Sequence, residues 1–239
     1  MIKSMGMKKY YFVIILSFQG FFLSAQNFQN NYDRGKICAN KKSELDSAVI
    51  FFTKAIEQDS NKSEVYLDRA RLYDYKSEFS KAFDDYNKVI GMDSLCGRAY
   101  QGRANVYMKT NQRNKEIHDY RKAIELIPND EKTYYCYLNL GIYIMESNGN
   151  IDTALYYINN AIDLTKKYKY ITGSSCYYVR GKAFLKHEEY EKAIADFTTA
   201  IDLGFYSDCY LLRSNAYKKL GLNDKAEQDQ KKYEKCKTK

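Results

Sequence analysis

Residues 174–206 read SSCYYVRGKAFLKHEEYEKAIADFTTAIDLGFY, and residues 63–96 read SEVYLDRARLYDYKSEFSKAFDDYNKVIGMDSLC. Laid over one another on Gly181 and Ala70, both have a tyrosine four places earlier (Tyr177, Tyr66) and an arginine directly before (Arg180, Arg69). Both also have an aromatic three places later (Phe184, Tyr73) and a second apolar-periodic segment around Ala193 and Ala82. Spacings of three, four and seven residues put such side chains on one face of a helix. A small residue in each segment lets the two helices approach closely while the tyrosine fills the groove beside it. Each stretch is therefore a helical hairpin.

The same pattern extends in both directions. Second segments close on Ala55-Ile56, Val89-Ile90, Ala123-Ile124, Ala161-Ile162, Ala200-Ile201 and a degraded Tyr233-Glu234, with gaps of 34, 34, 38, 39 and 33 residues. The small residue of the first segment recurs as Gly35, Ala70, Ala104, Gly141, Gly181 and Ser214. That of the second recurs as Ala48, Ala82, Ala154, Ala193 and Ala226, with Glu116 breaking the rule. Tyr66, Tyr100, Tyr137, Tyr177 and Tyr210 precede the first row, and Tyr73, Tyr107, Phe184 and Tyr217 follow it. Phe52, Tyr86, Tyr120 and Phe197 belong to the second segment. A period near 34 residues means stacked supersecondary units whose neighbours supply each other's core, which points to binding rather than chemistry.

These rows resemble the tetratricopeptide repeat (TPR) family over residues 26–239, with units near 28–62, 63–96, 97–130, 134–168, 174–206 and 207–239; Pro128 also fits the pattern. The resemblance implies an all-α, right-handed superhelix, an α-solenoid of about six helical hairpins. Two departures predict local irregularity around the fourth unit. Residues 131–133 and 169–173 are inserted, and the 13-residue steps from Gly35 to Ala48 and from Gly141 to Ala154 carry one extra residue between helices. Gln230, Glu234 and Lys235 make the last helix a solvated cap, and Asn27 to Asp33 is the polar counterpart at the other end.

Arg69, Arg103, Arg180 and Arg213 occur in the same units as Asp85, Asp119, Asp196 and Asp229; the fourth unit lacks both, having Leu140 and Tyr157. This coupled presence predicts structural pairs in the bidentate geometry that arginine favours, rather than a row of arginines waiting for an acidic ligand.

The N-terminus carries Lys3, Lys8 and Lys9 without an acid, an apolar run from Tyr10 to Phe22, and then Leu23-Ser24-Ala25. Residues 1–25 read as a secretory signal cleaved after Ala25. Retention as an anchor is the alternative, but Ser17, Gln19 and Gly20 interrupt the run, which is shorter than the roughly 20 apolar residues of a spanning helix. Cleavage would leave no membrane span and would bring the formal charge from +8 to +5. That balance does not argue for nucleic acid. The chain has one proline, 12 glycines, 25 tyrosines and no tryptophan, a helical composition with one oddity.

No phosphate loop, GxSxG elbow, HExxH or paired-cysteine metal spacing is present. His118 and His187 lie more than a repeat apart and read as solvated, so neither a metal nor a cofactor is expected. Asn148 to Asp152 lacks the glycine spacing and terminal glutamate of a calcium loop and reads as the turn holding the extra residue. Cys136, Cys176 and Cys209 occupy one equivalent place and read as small buried hydrophobes, together with Cys38, Cys96 and Cys236 making six; only Cys209 with Cys236 is placed for a disulfide. Lys166 to Tyr170 mixes cations and aromatics but reads as a helix extended by a turn, and Lys231 to Lys239 as a frayed basic terminus.

In TPR proteins the first helices line a concave groove that holds a peptide or a partner's helix, and the resemblance implies the same here. The groove positions are then Leu67, Arg71 and Tyr75; Gln101, Asn105 and Met108; Leu138, Ile142 and Met145; Tyr178, Lys182 and Lys186; and Leu211, Asn215 and Lys219. Their middle is apolar and their C-terminal end basic, which predicts a protein or peptide partner with an apolar stretch and acidic residues toward one end. Heat-shock-protein-binding members clamp a C-terminal carboxylate. Asn105 and Asn139 fall on the asparagine places of that clamp, but Gln101, Ser175 and Val179 replace its cations, which argues against it. The reading that results is a non-enzymatic, exported scaffold of a bacterial envelope, periplasmic or secreted. The alternative is a substrate-recognition or adaptor subunit of an envelope secretion or cell-wall enzyme complex.

Overall fold

The structure is a computed structural model that describes residues 24–147, 149–169, 172–205 and 207–237. The expected signal falls on residues 1–25, of which 1–23 lie outside the described residues. The described residues form α-helices throughout, without strands. In chain order they are α1 over 24–39, α2 (Leu45–Gln58), α3 (Ser63–Tyr75), α4 (Phe79–Met92), α5 (Gly97–Lys109), α6 (Arg113–Leu126), α7 (Tyr134–Glu146), α8 (Ile151–Lys167), α9 (Ser174–Lys186), α10 (Tyr190–Asp202), α11 (Ser207–Lys219) and α12 (Asn223–Lys237). None of the described helices is long and apolar enough to cross a membrane. Two compact units divide the chain between Asp119 and Tyr120.

In the first unit, α1 and α2 share a core of Phe28, Cys38, Ala48, Phe52 and Ala55 with Val65 of α3. The helices come this close because Gly35 has no side chain: a Cβ there would lie 2.5 Å from the Phe52 ring. The next layer joins Tyr66 and Ala70 of α3, Ala82, Tyr86 and Val89 of α4, and Ala99 and Val106 of α5. Burying a valine or a larger apolar side chain contributes about 1.5–3 kcal/mol, so layers supplied by neighbouring hairpins are what stabilise the stack.

In the second unit, α7, α8 and α9 enclose Tyr137, Leu138, Ile158, Ala161, Ile162, Leu164, Cys176 and Val179. Farther along, Ala193, Phe197, Ala200 and Ile201 of α10 meet Cys209 of α11. The small-residue row again sets the approach: a Cβ on Gly141 would lie 2.6 Å from Ile158, and one on Gly181 2.7 Å from Phe197. Ser214 stands in this row fully buried, and its hydroxyl donates to the Ala226 carbonyl at 2.7 Å.

The irregularities fall where the sequence places them. Three residues separate the helices in the turns 76–78, 110–112, 187–189 and 220–222, whereas four separate α7 from α8, of which residue 148 of the expected turn lies outside the described residues, and 40–44 holds a short 3-10 turn. Inserted residues Glu131–Thr133 form another 3-10 turn, tied down by Thr133, whose hydroxyl donates to the Ile127 carbonyl at 2.9 Å. Helix α8 runs 17 residues, the extra turn read from the basic run, and Asn150 caps its start by accepting from the Thr153 amide at 3.0 Å. The second insertion ends at Gly173, with φ at 65°, where a Cβ would meet the Thr165 hydroxyl at 2.5 Å. In α12 only Ala226 and Asp229 are buried, so its outer face is solvated.

Candidate interaction surface

The arginines of the repeat are consumed inside the stack. Arg69 donates from Nε and Nη2 to both oxygens of Asp85 at 2.8 Å each, and Arg103, Arg180 and Arg213 do the same to Asp119, Asp196 and Asp229 at 2.7 to 3.0 Å. The remaining Nη1 of each reaches back to the preceding second helix: Thr53, Asn87, Asn159 and Thr198 accept at 2.9, 2.6, 2.7 and 2.7 Å. Each guanidinium also lies 5.5 to 6.0 Å from two aromatic rings, those of Tyr66 and Tyr73, Tyr100 and Tyr107, Tyr177 and Phe184, and Tyr210 and Tyr217. The abundant tyrosines are thus the walls of these arginine sites, and cation–π contact contributes about 0.5–2 kcal/mol in each. Burial alone would push the Arg69 guanidinium down, but bonding to Asp85 more than reverses it. In the fourth hairpin Leu140 is buried instead, and the Tyr137 and Tyr157 rings pack at 6.3 Å.

The six cysteines are all free, which sets aside a bond between Cys209 and Cys236: the first is buried and the second exposed. Burial pushes the Cys176 thiol up to about 11 and the Cys209 thiol to about 12. They are therefore protonated at neutral pH and are packing groups rather than nucleophiles. His118 and His187 are both exposed. Among the described residues no group of three or more His, Cys, Asp or Glu side chains is arranged to hold a metal.

The first-helix positions form two patches. In the first unit α3 and α5 touch. Leu67, Arg71 and Asn105 are half-buried there, Tyr75 and Met108 are exposed, and Gln101 is buried. Arg71 lies 3.5 Å from Asp68, which also accepts from the Tyr32 hydroxyl at 2.9 Å. Lys109, at the end of α5, pairs with Asp74 of α3 at 2.7 Å.

The second unit brings α7 against α9 and α9 against α11. Ile142, Met145, Tyr178 and Leu211 are half-buried, Lys182, Lys186, Asn215 and Lys219 are exposed, and Leu138 is buried in the core. Lys186 donates to the Met145 carbonyl at 3.0 Å, joining two of these positions directly. Lys182 stands 5.5 Å over the Tyr178 ring, which packs on Phe205 at 4.7 Å. Of the asparagines on the clamp places, Asn139 is spent on the Tyr135 carbonyl of its own helix at 2.9 Å. Of the expected set, Gln101 and Leu138 are buried and the other thirteen positions are half-buried or exposed.

A cleft of about 420 Å³ opens beyond Lys186, lined by that lysine with Leu185, Glu188, Tyr190, Asn215, Lys218 and Lys219. Reading the sequence by steps of four from Lys182 and Asn215 finds Lys186 and Lys219 and misses Leu185 and Lys218. A helix face takes the third residue as well as the fourth, which is the signal that would have found them. Lys182, Lys218 and Lys219 have no carboxylate partner among the described residues, whereas Lys76, Lys109, Lys122 and Lys192 each have one.

Comparison with known proteins fits this geometry. Residues 97–130, 174–203 and 207–235 match the family model described as tetratricopeptide repeat. The crystal structure of YrrB, titled a TPR protein with an unusual peptide-binding site, superposes with a TM-score of 0.64 at 21% identity, over 76% of this chain and 90% of that one. PilF of Pseudomonas aeruginosa gives 0.71 at 15% identity over 86% and 90%, and BtubC from P. vanneervenii 0.61 at 16% over 90% and 91%. At such identities the likeness is one of fold. No curated protein gives a match. The fold is the all-α helical-repeat fold of TPR proteins.

Proposed function

We propose that this chain is an exported, non-enzymatic TPR scaffold of six repeats that binds a peptide or a partner's helix on its first-helix faces. One observation carries the reading: the residues that repeat are used up in packing and in the arginine sites, while the residues that vary on the first helices remain accessible. Among these, Lys182, Lys218 and Lys219 are exposed and have no carboxylate partner among the described residues. Half-buried Ile142, Met145 and Tyr178 supply the apolar stretch, and the lysines favour acidic residues at one end of the partner. Export rests on the N-terminal pattern of charged, apolar and small residues ending at Ala25.

The test is copurification of the tagged chain from its own cells, compared with an Ile142→Glu, Met145→Glu variant of equal thermal stability. A partner retained by the first and lost by the second is expected. Retention by both at equal yield contradicts the proposed face. Cell fractionation with N-terminal sequencing tests export: a mature chain beginning after Ala25 is expected, and an intact cytosolic chain would refute it.

A further inference from the structure

The unpaired lysines have a counterpart within the same molecule that says what is missing. In the first unit Lys109 stands five residues after the small Ala104, and its counter-charge is Asp74, four residues after Ala70 on the preceding first helix. In the second unit Lys219 stands five residues after Ser214, and the corresponding place on the preceding first helix, four after Gly181, is Leu185. The lysine is kept and its carboxylate is replaced by an apolar side chain. Leu185 and Tyr190 are half-buried and line the cleft, Lys186, Lys218 and Lys219 also line it, and Glu188 is the one acid among its lining residues. Lys218 and Lys219, neither with a carboxylate partner among the described residues, stand beside this apolar floor.

We infer that this cleft is a subsite for an apolar side chain flanked by carboxylates on an acidic peptide, whose carboxylate takes the place at Lys219 that Asp74 occupies at Lys109. The inference rests on the peptide-binding reading above and names the residues that select the acidic end. The apolar side chain of the ligand covers Leu185 and Tyr190 and removes their surface from water. The flanking carboxylates pair with Lys218 and Lys219 at the rim, and this pairing weakens as salt shortens the screening length. The site lies at the C-terminal ends of α9 and α11, whereas Ser175 and Val179, where a carboxylate clamp would put its cations, lie in the first half of α9.

The experiment is fluorescence anisotropy of the full chain with a short labelled peptide. One half is leucine and alanine, and the other is a single leucine between glutamates; a control carries glutamines in place of the glutamates. Binding is expected to be about three- to tenfold tighter for the glutamate peptide, with the gap closing at high salt. Lys218→Gln with Lys219→Gln should erase that gap. Leu185→Asp should erase it too, by supplying the counter-charge within the chain, at some cost in melting temperature because Leu185 also packs against the core of α10 and α11. Unchanged selectivity in both variants overturns the inference. Equal binding of the two peptides, lost for both in Ile142→Asp, overturns the subsite and leaves the groove reading standing. Binding of neither peptide overturns the subsite together with the acidic preference proposed for the groove.

Discussion

Arg69, Arg103, Arg180 and Arg213 each satisfy an aspartate and a residue of the preceding hairpin while lying against two aromatic rings. Removing one partner strands the other, so Asp196→Ala should lower stability by about 2–3 kcal/mol, below the range for fully buried pairs because part of Arg180 stays in water. That is a fall of about 4–12 °C in a melt followed by circular dichroism. An unchanged melt would show the pair to be ornamental. The aspartates were legible in the sequence because they appear and disappear together with the arginines. The third acceptors were not, because Thr53 and Asn87 lie 16 residues before their arginines but Asn159 lies 21 before; an insertion between hairpins destroys the fixed spacing that sequence reading depends on. The cysteines give a second check at this level. Ellman's reagent should find six thiols in unreduced, denatured protein but react promptly in the native state with exposed Cys236, while Cys136, Cys176 and Cys209 stay silent. Prompt reaction of more than half the thiols would mean that these positions are not packed.

The turns between helices carry a signature that composition hides. Ser77, Asn111, Glu188 and Gly221 occupy one equivalent place with φ of 61°, 56°, 61° and 73°, and the following amides donate back to Tyr73, Tyr107, Phe184 and Tyr217 at 2.8 to 2.9 Å. This is the left-handed helix end at which glycine is favoured, yet only one of the four is glycine. Ser77→Gly should therefore stabilise by about 0.5–1 kcal/mol, read as a higher urea midpoint at unchanged slope; a lower midpoint would contradict the strain. The terminal helix behaves differently. Beyond Asp229 nothing in α12 is buried. Its last two turns should exchange amide protons far faster than α10, whose Ala193, Asp196, Phe197, Ala200 and Ile201 are buried. Equal protection would mean that something covers the outer face of α12. The hairpins themselves were legible because the small residues meet large ones across the helix pair, as Gly181 meets Phe197.

For the chain as a whole, alkaline pH is the discriminating stress. Burial raises the phenol of Tyr86, and burial with Asp68 raises that of Tyr32. A raised folded-state value means that their contribution is fully present below the ordinary tyrosine value of about 10 and is lost as pH climbs through it toward the folded-state one. Urea midpoints should hold from neutral pH to about pH 10 and fall beyond it; a fall beginning two pH units lower would point elsewhere. The interaction surface was only partly legible. Exposed Lys182 and half-buried Ile142 lie where the family resemblance puts groove residues, but the same resemblance also nominated Gln101 and Leu138, which are buried. A face is defined by what packs on it, and that depends on neighbouring hairpins rather than on spacing within one. The division of labour between repeating and varying residues can be measured by site-specific photo-crosslinking in the native cells. A crosslinking amino acid at Lys182 or Asn215, exposed on α9 and α11, should yield a discrete adduct, and one at Ala195 or Gln228, exposed on α10 and α12, should yield none. Adducts from the second-helix positions alone would contradict binding on the first-helix face.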